Sequence, residues 1–443
     1  MKNLLFITIV IVFNYFIGIY AENSYYIVNI LRDKSDKNYD DESEEIQKLT
    51  DNLLNERMND IYHIIETNQD TYVLENGKQD EKLEELNNSP LRKRNENGVE
   101  KKLLFINKRK SSSHSKRSLE LLKTNNSTIE YVPFESELVN YGCPIKNYYA
   151  IVAYLSEEVA EEVCHLENVL YCEKSETLKV PEVIKKTPIQ NNNNNNNEND
   201  FEDKNSNQYY DIDAIQKETN WTSVSVQPTL DEDPNTYFLS FISQSNDIDE
   251  GKPLDMNYYY PSSAGHGIDI YFIDSGIIVH PDYFDTYKDT EDERTVTCDA
   301  ISNGIEIRDT TENEKTSCMD EIFDYPDHGI EVSSVGGGSL LGVAKKANIH
   351  MIASDFSIIS TLRAIDYIIL NAKPHKTVLS MSFASLGTYR KSCDDKLSDL
   401  INAGIIVVVA VGNDGVNVCG NKYSDTFGVF IDSDDITSID NKK

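Results

Sequence analysis

Positive charge is what this sequence has too little of. Lys and Arg number 42 against 75 Asp and Glu, which leaves a formal charge of −33 over 443 residues. Nucleic-acid binding rests on a basic footprint that neutralises phosphates, so that class of function is excluded. Long apolar runs are missing too: beyond its first residues the chain has no segment that could span a bilayer. The length removes a third class, because a chain of 443 residues can bury at least one large core and need not be a small scaffold held by cross-links.

What is present begins with a leader. Lys2 supplies a positive start, Leu4 to Phe13 form an apolar run broken by Thr8, and Ala21 closes a small-residue cleavage site before Glu22. Asn14 interrupts the run short of a comfortable membrane span, so residues 1–21 are expected to be a signal peptide and the product secreted and extracellular. Export permits disulfides, and the seven cysteines fall in two groups: Cys143, Cys164 and Cys172 early, then Cys298, Cys318, Cys393 and Cys419 late. The triplets beginning at Asn125, Asn126 and Asn220 fit N-glycosylation acceptors and agree with export.

Composition divides the rest. Tyr25 to Ile30 has a strand pattern, and a charged stretch poor in apolar residues from about Asp33 to Asn97 is expected to be helical or loose. Between Arg92 and Arg117 lie ten Lys or Arg and two Glu, either a solvated loop or a processing site for a protease that cuts at paired basic residues. Order returns with a strand from Ala150 to Leu155, a helix opened by Ser156-Glu157-Glu158, and a second strand from Val169 to Cys172. Seven consecutive asparagines, Asn191 to Asn197, then sit in a polar linker over 181–208 that cannot bury enough surface to offset its chain entropy.

Beyond the linker short apolar runs alternate with helix-like segments. Ile268–Ile273, Ile349–Ala353, Thr377–Ser382 and Ile405–Val411 read as strands; Gly329–Val335, Ile358–Asn371 and Asp394–Ala403 read as helices, the last stopped by Gly404. Such repetition predicts an α/β, doubly wound, mostly parallel sheet covered on both faces, with its chemistry at the carboxyl ends of the strands. Asp274 stands there, where its carboxylate would reach a cleft without entering the core.

The residues around it carry more. Tyr258 to Gly267 followed by Ile273-Asp274-Ser275-Gly276 and His280-Pro281, then Asp327-His328-Gly329 with Gly336-Gly337-Gly338, then Leu379 to Ala384, and finally Val411-Gly412-Asn413 succeed one another in order. Together they resemble the subtilisin-like serine proteases, closest to the proteinase K branch. The resemblance implies that Asp274 and His328 are catalytic, that Asn413 belongs to the oxyanion hole, and that Ser382, Phe383 and Ala384 bind substrate backbone. It requires no cofactor and leaves structural calcium open. It also implies a polypeptide substrate, and it likens the early strands and helix to the family's inhibitory propeptide, an intramolecular inhibitor that would be cut away.

The implied organisation is a leader (1–21), a small α+β propeptide-like domain (22–180) with a charged insertion (about 33–146), the linker, and a subtilisin-like domain (209–443) incomplete at its C-terminus. Two departures stand in the motifs: Ile330 and Glu331 follow His328-Gly329, and Phe383-Ala384-Ser385 replaces glycines, which would narrow the first specificity pockets. A third is an absence. None of Ser424, Ser433 or Ser438 lies in a Gly-Thr-Ser-Met-Ala-like turn, so no nucleophile is identified and the chain is expected to be a fragment of a protease. The alternative is a non-catalytic relative that binds extended polypeptides or a partner protease; a third reading has the early domain alone acting as an inhibitor. The four late cysteines admit three pairings.

Overall fold

A computed structural model describes residues 22–33, 43–74, 77–92, 100–106, 129–178, 210–228, 237–243, 255, 257–304, 306–383, 390–410 and 412–413. The expected leader, the asparagine linker and Ala384 lie outside them. The chain divides into two compact units, Met1–Glu176 and Thr177–Lys443.

The first unit is built on an antiparallel sheet of order β4-β5-β1-β6. Its strands are β1 (Ser24–Ile30), β4 (Val139–Ile145), β5 (Tyr148–Leu155) and β6 (Val169–Lys174). Although first in the chain, β1 is paired on both sides, Ser24 opposite Leu155 and Tyr26 opposite Lys174. The charged stretch after it holds a long helix, α1 (Glu44–Thr67), capped by the Ser43 hydroxyl, which accepts from the Ile46 amide. Leu54, Met58, Ile61, Tyr62 and Ile65 recur at helical spacing and are all buried, so a sparse apolar stripe suffices to dock it.

A two-stranded parallel sheet follows, β2 (Glu100–Phe105) with β3 (Ile129–Phe134). Asn55 and Asn59 of α1 take over a ladder's work on β2, each donating to the Leu103 carbonyl, while Asn55 accepts from Phe105 and Asn59 from Leu103. Helix α2 (Glu157–Cys164) is capped by Ser156, and a Cys164–Cys172 disulfide ties its end to β6.

The second unit centres on a six-stranded sheet of order β12-β11-β14-β9-β15-β16. The ranges are β9 (Asp269–Asp274), β11 (Val296–Asn303), β12 (Glu306–Asp309), β14 (Asn348–Ser354), β15 (Thr377–Met381) and β16 (Ile406–Val409). All pairs are parallel except β11 with β12. Before it a small antiparallel pair, β7 (Val224–Gln227) with β8 (Tyr258–Pro261), leads in.

Helix α3 (Asp327–Gly337) lies on the face presented by Phe272, Ile349 and Met351, to which Ile330 and Val332 add their side chains. Helix α4 (Ile358–Asn371) lies on the other, where Tyr367 comes close to Tyr271. Helix α5 (Lys391–Asn402) packs beside α4 through a buried ion pair, Lys396 Nζ to Asp366 Oδ1 at 2.7 Å. The α/β layering expected from the alternating pattern is therefore present, as a mixed sheet with one antiparallel edge.

The insertion between Asp274 and His328 has structure that the apolar pattern did not show. Besides β11 and β12 it forms β13 (Ser317–Met319), which pairs antiparallel with β10 (Gly276–Ile278). Cys298 of β11 and Cys318 of β13 are joined in a disulfide, and Cys393 is a buried thiol.

Candidate active site

Three neighbouring strands, β9, β15 and β16, end at the same side of the sheet, since Ile273 faces Met381 and Met381 faces Val409. The chain leaves them at Asp274, at Ser382-Phe383 and at Gly412-Asn413. Asp274 is the last residue of β9, and only 1% of its side chain is exposed. The carboxylate is thus buried, contrary to the expectation that it would avoid the core. Burial is tolerated because Oδ1 accepts from the Ser275 amide at 2.7 Å and from His328 Nδ1 at 2.8 Å. Oδ2 is buried without a hydrogen bond, an unmet acceptor of the kind that concentrates at functional sites.

His328 is the second residue of α3, a helix whose own N-cap, Pro326, has no side chain to satisfy the first amides. Ser275 supplies the cap from another segment: its hydroxyl accepts from the Gly329 amide at 3.0 Å. The residue after the aspartate therefore fixes the residue after the histidine. Close approach makes this geometry, because a Cβ on Gly329 would stand 2.1 Å from the Gly276 carbonyl and one on Gly336 would stand 2.7 Å from the Phe272 ring. The glycines near the histidine admit the helix to the strand.

With Nδ1 donating to Asp274, His328 holds its neutral proton there and keeps Nε2 as the acceptor. Burial pulls the imidazole below its usual 6.5, but the bond to Asp274 and that residue's charge, with Glu331 adding to it, outweigh this and hold the pKa above it. Glu331, a departure from the subtilisin-like pattern, thus adds negative potential at the ring.

Of the residues expected to bind substrate backbone, Ser382 and Phe383 are described. Ser382 is half-buried, and Phe383 is fully buried, its ring 5.1 Å from that of Phe356, which in turn lies 5.7 Å from Phe323. Phe356 holds a left-handed φ of 59°, rare for a bulky residue and costly. The three rings form one aromatic cluster behind Ser382. Sequence reasoning missed Phe323 and Phe356; only Phe383 stood in a motif. Leu178 donates its amide to the Phe356 carbonyl at 2.8 Å and Thr177 bridges Ser357 in antiparallel fashion. Asn413 is exposed and follows Gly412, whose φ of 82° turns the chain out of the strand. Among the described residues no three His, Cys, Asp or Glu converge as metal ligands would.

Residues 265–430 match the Subtilase family. That segment is similar to a subtilase domain. Subtilisin-like protease 2 of Pseudogymnoascus destructans is 31% identical over 173 residues, covering 38% of this chain and 37% of that protein. Subtilisin-like protease 3 of Trichophyton equinum is 28% identical over 201 residues, covering 43% and 44%. The chain therefore spans less than half the length of these curated relatives. A cold adapted subtilisin-like serine proteinase of known structure is 22% identical with a TM-score of 0.31, covering 41% of this chain and 58% of that one. The Asp274–His328 pair and both glycine contacts fall inside the matched range, whereas β7 and β8 precede it.

Proposed function

We propose that the chain belongs to a secreted subtilisin-like serine endopeptidase made as a zymogen, in which His328 is the general base and later the general acid. Asp274 orients the ring and stabilises the imidazolium, and Asn413 donates its side-chain amide to the oxyanion at the scissile carbonyl, worth about 3 kcal/mol in such sites. The observation that supports this reading best is the 2.8 Å bond from His328 Nδ1 to Asp274 Oδ1, which leaves Nε2 to accept a hydroxyl proton. The nucleophile would be a serine hydroxyl. No serine of this chain lies in the turn that such enzymes use, so hydrolysis is assigned to a product that contains one.

Residues 22–180 are proposed to be the propeptide, acting as inhibitor until it is removed. The test is peptide hydrolysis by a product that includes the serine turn: His328→Ala and Asp274→Asn should each lower kcat by at least about a thousandfold. Retained activity in either would reject the roles.

A second reading has a specific observation behind it. Thr177 and Leu178 meet Phe356 and Ser357 through one isolated antiparallel bridge and one amide-to-carbonyl bond, so backbone groups there can hold a peptide segment without cutting it. The chain alone should then bind an extended peptide with no turnover, as fluorescence anisotropy and product analysis would show.

A further inference from the structure

We propose that the Cys298–Cys318 disulfide is a positioning device for the Asp274–His328 pair, tying the turn that carries the aspartate to the core sheet. The proposal rests on the catalytic reading of that pair. Cys318 sits in the middle of β13, opposite Ile277 of β10, and Gly276 at the start of β10 lies opposite Met319. The strands touch as closely as backbones can: a Cβ on Gly276, whose φ is 133°, would stand 2.1 Å from the Cys318 carbonyl. On its other side Gly276 meets Gly329, again at 2.1 Å for an added Cβ, and Gly329 is the residue after His328.

Three layers of backbone are therefore stacked, β13 on Gly276 on the first turn of α3, with no side chain between them. The turn at Asp274–Gly276 cannot shift without moving β13 or the histidine helix. What holds β13 in turn is Cys298, fully buried in β11 at an irregularity of its pairing with β14. The Cys298 amide also holds this segment, donating to the Lys315 carbonyl at 2.8 Å. β10 and β13 are a pair of only three residues each, outside the six-stranded sheet, and so a ladder with little stability of its own. The disulfide converts that pair into an extension of the core cluster that includes Ile277, Cys298, Cys318 and Met351.

A brace that only stabilised the fold would lower the melting temperature when removed and leave the site chemistry alone. A positioning element would also weaken the coupling between Asp274 and His328. The readout is the His328 titration midpoint by NMR on the histidine-labelled full chain, its signal among the eight histidines assigned with His328→Gln. The rise that depends on Asp274, the midpoint of the wild type less that of Asp274→Asn, should shrink by at least half in Cys298→Ala/Cys318→Ala at a temperature where that variant is folded. Cys164→Ala/Cys172→Ala, which removes the other disulfide, should leave it unchanged.

An unchanged rise in the Cys298/Cys318 variant, whatever its melting temperature, overturns the inference and leaves the proposed function standing. If Asp274→Asn does not lower the midpoint at all, the pairing and both proposals fall together. Should the alanine pair not fold, the titration is repeated on folded wild type treated with a water-soluble phosphine. That reagent breaks the S–S bond, leaves two thiols and becomes its oxide with oxygen from water; an undiminished rise there rejects the inference equally.

Discussion

The two halves of the six-stranded sheet contrast. At its centre β9 and β14 have neighbours on both edges and cover on both faces, with Ile273, Ile349, Met351 and Ile352 fully buried. At its end β16 is paired on one edge among the described residues, and Ile406 and Val408 are 63% and 53% exposed. Asp274 and His328 belong to the first half and Asn413 to the second. The proposed base and its proposed orienting acid rest on a tightly packed platform, while the residue proposed for the oxyanion hangs from a thinly covered edge. An apolar run such as Ile405 to Val409 states that a strand wants burial on both faces. It does not state what supplies the cover.

The contrast can be attacked from either side. The largest effect is expected where α4 meets α5, next to β16. Asp366→Ala takes the carboxylate away from the Lys396 ammonium, which is 2% exposed, and should cost about 3–5 kcal/mol in denaturant unfolding. A loss under 1 kcal/mol would show that this end is already soft. Gly329→Ala comes next: its Cβ would meet backbone rather than a yielding side chain, so about 2–3 kcal/mol should go, together with the rise of the His328 midpoint.

Asp320→Asn should act in the opposite direction. Burial raises the Asp320 carboxyl above the usual range; its bond from the Ile322 amide opposes this, and the charges of Asp355 and Glu321 add to the rise. A carboxyl whose pKa is higher folded than unfolded costs native stability as pH climbs from the unfolded value through the folded one. The amide variant keeps an acceptor for Ile322, so it should gain up to about 1 kcal/mol at pH 7 and nothing at pH 3. Equal gains at both pH values would reject the electrostatic cause. The smallest effect is expected at the edge, where Ile406→Thr should change stability by less than about 0.5 kcal/mol; a larger loss would mean that the exposed face is covered in solution.

Much of the second unit was legible because its signals are local. The run from Ile358 to Asn371 carries helical spacing after a capping serine, and the structure begins and ends the helix there. The pattern put Asp274 at the carboxyl end of a strand, but it and His328 were singled out by the resemblance of their motifs to those of the subtilisin-like proteases. What escaped depends on partners remote in the chain. The Ser275 hydroxyl that caps α3 comes from 54 residues away. Phe356 looks like any apolar residue after a strand, and only its left-handed backbone and its two aromatic neighbours distinguish it. β13 was hidden because a three-residue strand with two exposed positions has no periodicity to read. In the first unit α1 was ambiguous for a related reason: its buried stripe is narrow and its remaining surface is charged.

The placement of β1 sets a timetable. Ser24 to Ile30 leaves the ribosome early, yet its partners are Tyr149 to Leu155 on one side and Val169 to Lys174 on the other. At about 5–20 residues per second, a separation of this size keeps the strand waiting on the order of ten seconds. During that interval an apolar segment with two open edges is exposed to every other nascent chain. The sheet can close only after β6 has emerged, so synthesis of the first unit is nearly complete before any of its central pairing begins.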